Sequence, residues 1–137
     1  METIIKKKLN RDMTNEELLY FTHQWQVELE FLEHELLFFK HLLNSNIYKK
    51  NTMNLFENLQ LYKKEGDNYN KERLEILDKV HTYQKQLLNR IACDDLSCDS
   101  FYLQLHEKMT YNVEVFLEES KNFKFHLFEY IQSVILL

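Results

Sequence analysis

The chain has no proline and a single glycine, Gly66, among its 137 residues. Strands joined by tight turns need residues that tolerate positive φ, or proline to open the turn. A chain that can make almost none of those turns must spend its length on helices. The expectation is an all-α protein, and at this length one domain spanning residues 1–137.

Apolar residues make up 45% of the chain, which excludes a disordered polymer. The net charge of −5 leaves no basic footprint for nucleic acid. The pairs Lys49/Lys50 and Lys63/Lys64 read as solvated helix faces. Met1 to Asn10 carries lysines without an apolar stretch behind them, so it does not read as a signal peptide, and residues 1–12 are expected to form a flexible tail. Phe123 to Leu137 is apolar but short, and Lys124, His126, Glu129 and Gln132 interrupt it, so no membrane partner is expected. A cytoplasmic protein follows. Cys93 and Cys98 supply only two ligands, too few for a structural zinc site, and are expected to be free thiols.

Hydrophobic spacing predicts three long helices. Thr14, with Glu17 three residues on, carries the pattern of a capping box. Leu18, Trp25, Leu29, Leu32, Leu36, Phe39 and Leu43 then alternate four and three apart, with Thr22 in the one polar slot. Asn44-Ser45-Asn46 ends that stripe. A second stripe runs from Tyr48 through Thr52, Leu55, Leu59, Tyr62, Gly66, Tyr69, Arg73, Ile76, Val80 and Tyr83 to Leu87 without a phase break.

Lys64-Glu65-Gly66-Asp67-Asn68 resembles a loop, which would give a four-helix bundle instead. A loop of arbitrary length would shift the phase, however. One interior glycine costs only about 1 kcal/mol. The third stripe is Tyr102, His106, Met109, Val113, Phe116, Ser120, Phe123, Leu127, Tyr130, Val134 and Leu137. The predicted fold is an antiparallel up-down-up bundle of three helices over about 14–45, 51–92 and 99–137, with Asn51 or Thr52 near the second cap.

The run Trp25-x-x-Glu28-Leu29-x-Phe31-x-x-x-Glu35-Leu36-x-x-Phe39 resembles a pattern in small uncharacterised helical-bundle proteins of Bacteroidetes bacteria, and the Asn51-Thr52 opening is similar too. The resemblance covers about a third of the chain. It implies a helical bundle and carries no activity.

Motifs that hold metals or phosphates in bundles are missing from the sequence. The nearest approach to Glu-x-x-His is Asp78-x-x-His81, which occurs once, and no helix carries His-x-x-x-His. One glycine cannot build a phosphate loop. Neither cysteine has a catalytic setting, since both lie in an acidic stretch. No cofactor, metal or catalytic residue is assigned.

Two polar groups occupy seam positions. Thr22, Arg73 and Ser120 lie on the three seams, with Glu28 and Glu35 one heptad apart beside the first. A height count sets Arg73 against Glu28 or Glu35 as a core pair. His106 is expected near Gln84 and His81, as a hydrogen-bonded layer or a ligand cluster. His34 and His41 read as surface residues.

Apolar residues also exceed what one seam hides. Phe31, Leu37, Phe38, Phe125, Phe128, Ile131 and Ile135 are expected to form an interface. The leading reading is a non-enzymatic structural or protein-interaction bundle, partnered by a second copy as a homodimer or by another helical protein. The alternative is a ligand- or metal-binding bundle that uses His81/Gln84/His106 or Glu28/Arg73.

Overall fold

Thr14 opens helix α1 (Asn15–Leu43) as its N-cap: the Thr14 side chain accepts the Glu17 N–H at 3.2 Å. The Thr14 hydroxyl also lies 3.2 Å from the Glu17 carboxylate, so this is half of the expected box. At the other end Asn44 Nδ2 donates to the Lys40 carbonyl and Ser45 Oγ to that of Leu42, as short polar side chains do at helix termini. The computed structural model of the chain describes residues 14–90 and 96–136. It continues with α2 (Leu55–Arg90) and α3 (Leu96–Val134). The helices have 29, 36 and 39 residues, or about 44, 54 and 58 Å. The expectations for the 1–12 tail and for the Cys93 and Cys98 thiols fall on residues and side chains outside the description.

The fold is an up-down-up three-helix bundle. Contacts climb α1 as they descend α2: Gln84 meets Thr22 and Gln26, Arg73 meets Glu33, and Asp67 meets Lys40. They run oppositely again between α2 and α3, where Tyr83 meets His106, Tyr69 meets Phe116 and Phe123, and Tyr62 meets Tyr130. Between α1 and α3 they run in the same direction, through Trp25/His106, Glu35/Lys124 and Phe39/Phe128. Helix α2 is continuous through Gly66, which removes the four-helix alternative.

The core is the seam. Every predicted α1 seam residue is buried, including Thr22. Along α2, Leu59, Arg73, Ile76, Val80, Tyr83 and Leu87 are buried, while Tyr62 and Tyr69 are half-buried. Helix α3 departs from strict alternation at its end. Ile131 is buried at 5% exposure, and Tyr130 is only half-buried. Two successive steps of four, Phe123–Leu127–Ile131, keep a straight helix in register, because it turns 3.6 residues at a time rather than 3.5. Ile131 is therefore a core residue and not part of an interface.

Several boundaries differ from expectation: α1 ends at Leu43 rather than 45 and α3 at Val134 rather than 137. Helix α2 begins at Leu55 rather than near Asn51, after Asn54 at φ 57°. Thr52 instead closes a turn, donating its hydroxyl to the Lys49 carbonyl at 2.6 Å. Helix α3 begins at Leu96, three residues before Asp99. Its last turn is tied to the α1–α2 connection. Lys49 N–H donates to Val134, and Leu136 N–H to Ile47, forming an isolated antiparallel bridge between Tyr48 and Ile135. Tyr48 Oη adds a 2.6 Å bond to the Leu42 carbonyl.

Candidate functional site

The polar residues expected in one layer separate into several. Arg73 is 2% exposed, with Nε donating to Asn70 Oδ1 at 2.9 Å and an ion pair to Glu33 at 3.5 Å. Its other terminal nitrogen, Nη1, is buried without a hydrogen-bond partner among the described residues. Glu28 and Glu35 are not its partners. Both lie on the opposite flank of α1, lining the groove toward α3, where Glu35 pairs with Lys124 at 2.9 Å. Thr22 is level with Gln84, not Arg73, and donates to the Leu19 carbonyl. Ser120 donates to the Phe116 carbonyl of its own helix.

A heptad stripe explains the separation. Gln26, Glu33 and Lys40 are seven apart on the flank of α1 that meets α2. Glu28 and Glu35 are seven apart on the flank that meets α3. Glu33, between Glu28 and Glu35 in height but on the α2 flank, takes the pair with Arg73 instead.

The His81/Gln84/His106 cluster does not form. His81 is exposed. Gln84 bonds to Thr22 and Gln26 across the α1–α2 seam. His106, 1% exposed, meets Tyr83 Oη at 2.7 Å and stacks on Trp25 with ring centroids 5.4 Å apart. One ring from each helix thus makes a sealed aromatic layer. That layer is buried and fixes the helices against one another. Among the described residues, no three His, Cys, Asp or Glu side chains are grouped to hold a metal ion.

Two grooves lie open among the described residues. Between the parallel helices α1 and α3 lies one of about 1040 Å³, bordered by Val27, Phe31, Tyr111 and Val115. Phe31 is 61% exposed and Tyr111 68%. The same faces continue through exposed Phe38 on α1 and exposed Phe125 and Phe128 on α3. Phe128 packs edge-to-face on Phe39 at 4.9 Å while remaining half exposed.

Four of the seven expected interface residues, Phe31, Phe38, Phe125 and Phe128, therefore share this face. Leu37 is exposed, but three-residue spacing sets it beside Lys40 on the α2 flank. Ile131 is core, and Ile135 is half-buried in the terminal bridge. The sequence reading missed Val27, Tyr111 and Val115. Val27 lies four residues before Phe31, and Tyr111 lies two heptads before Phe125 and four residues before Val115; that spacing was the available signal.

Charge changes sign along this groove. Its first half carries Glu28, Glu114 and Glu118, and its second half Lys121 and Lys124 with Glu35. The second groove, about 470 Å³, lies between α2 and α3 and is lined by aromatic rings and carboxylates.

No described helix is long and apolar enough to cross a membrane. No family model, curated protein or solved structure matches the chain.

Proposed function

We propose that the protein is a non-enzymatic interaction module whose α1–α3 face packs against the same face of a second copy. The observation that carries this reading is the pair of exposed aromatic stripes flanking a groove that is acidic at one end and basic at the other. Monomers rarely expose a contiguous apolar patch beyond a few hundred Å². Two-fold symmetry is the commonest way to cover one.

The charge order selects the antiparallel arrangement. A two-fold axis crossing α3 between Glu118 and Lys121 sets Glu118 of each copy against Lys121 of the other. It also brings Tyr111 opposite Phe128 of the second copy, and Val115 within one residue of Phe125. The four helices at the junction then form an antiparallel bundle around the joined grooves. A parallel arrangement would set acid on acid and base on base, which opposes association.

Light scattering over a concentration series tests this. The wild type gives a dimer mass. Phe31→Glu gives a monomer of unchanged helicity. Glu118→Lys and Lys121→Glu each weaken self-association, and an equimolar mixture of the two restores a dimer. A monomer mass for the wild type, or an unchanged mass for Phe31→Glu, overturns the reading.

A further inference from the structure

We propose that the groove between α2 and α3 is a binding site for a small alkylammonium cation. Four aromatic residues line it: Tyr62, Tyr69, Phe123 and Tyr130. They form one connected set, with ring centroids 4.8 Å apart for Tyr69/Phe123, 5.2 Å for Tyr62/Tyr130 and 6.4 Å for Tyr62/Phe123. The titratable side chains of the lining, tyrosines aside, are the carboxylates of Glu65 and Glu119 and the imidazole of His126. Among the described residues, neither lysine nor arginine lines the groove. Its volume of about 470 Å³ is within the range of small-molecule sites.

The chemistry follows from that lining. Aromatic faces carry negative electrostatic potential and attract cations, most effectively those whose alkyl groups weaken hydration. The nearby carboxylates add a charge of the same sign. Their field reaches the rings. Burial first, then Glu65, pushes the Tyr62 phenol above its ordinary value, and burial followed by Glu119 and Glu65 does the same to Tyr69. An anion meets repulsion here. A neutral apolar molecule of the same shape fills the space but gains nothing from the charge.

A second observation is independent of the carboxylates. Tyr130 Oη is buried without a hydrogen-bond partner among the described residues, although its ring lines the groove. A buried hydroxyl left unpaired costs stability. The site lies on the opposite side of α3 from the proposed self-association face, so one copy carries it complete.

The test is an NMR and calorimetric titration of the full chain with choline. Its control is dimethylbutanol, the uncharged isostere with carbon in place of nitrogen. Choline is expected to shift the signals of Tyr62, Tyr69 and Phe123 saturably and to bind about tenfold more tightly than the isostere. The variant Glu65→Gln/Glu119→Gln keeps the shape of the groove and is expected to bring choline down to the level of the isostere. Tyr69→Leu is expected to weaken choline more than the isostere. Glu75→Gln, on the exposed side of α2, leaves binding unchanged. Equal affinity for choline and the isostere, no saturable binding of choline, or undiminished binding in the double variant overturns the proposal.

Discussion

At Arg73, burial and charge conflict. The guanidinium is almost wholly out of water, yet its partner Glu33 is 58% exposed and one of its nitrogens is unpaired. Breaking a buried ion pair costs about 3–5 kcal/mol when it strands a buried charge. Removing Arg73 strands none, since Glu33 stays in water. Arg73→Met keeps most of the packed volume and deletes the orphaned donor. Its stability, read by urea unfolding, is expected to stay within about 1 kcal/mol of wild type or to rise. Arg73→Ala opens a cavity instead and is expected to lose about 2 kcal/mol or more. A loss beyond about 3 kcal/mol in the methionine variant would show that the ion pair itself holds α1 to α2.

Helix α2 shows what a seam pattern conveys and what it does not. Its unbroken phase predicts continuity through Gly66, and the helix is continuous. An added Cβ at Gly66 would stand 3.8 Å from Phe123 Cζ, an ordinary contact, and the backbone there has no positive φ. Gly66 also borders a cleft of about 10 Å³ lined by Leu36, Phe39, Leu43 and Leu127, which a methyl group would help fill. Gly66→Ala is therefore expected to raise the urea midpoint by the equivalent of about 1 kcal/mol. A loss would overturn the reading that the site has room for the methyl group.

The periodicity also made the α1 seam legible residue by residue, because each of those positions is decided by its own helix. Exact heights between α1 and α2 were less legible, although His106 does lie one residue from the expected level of Gln84, against Tyr83. They depend on where the connection ends, and α2 starts at Leu55 only after Thr52 closes a turn and Asn54 adopts a positive φ. Those few residues set Arg73 beside Glu33, between the levels of Glu28 and Glu35. The Tyr48–Ile135 bridge was illegible for a similar reason: it joins a connection to a terminus more than eighty residues away.

Across the whole molecule, the three helix pairs divide the work unequally. Helices α1 and α2 pack most closely and carry the polar ladder from Gln84 to Asp67. The α1–α3 side is left wide and holds the proposed association face. The α2–α3 side is held largely by tyrosines, and this makes the bundle sensitive to alkali. Tyr48, Tyr62 and Tyr69 are each pushed above the ordinary tyrosine value, with burial the largest cause for all of them. Burial penalises the phenolate, so folding favours the neutral form. The unfolded chain gives up these protons near pH 10, whereas the folded chain holds them longer. Their contribution is thus fully present below about pH 10 and is lost as pH rises through the folded values. Thermal midpoints are expected to be level between about pH 7 and 9 and to fall above pH 10, as the near-ultraviolet tyrosinate band grows in steps. Tyr62→Phe and Tyr69→Phe remove two of the ionising groups while keeping the rings, so the double variant is expected to fall less steeply. If it falls as steeply as wild type, the α2–α3 tyrosines do not set the alkaline limit.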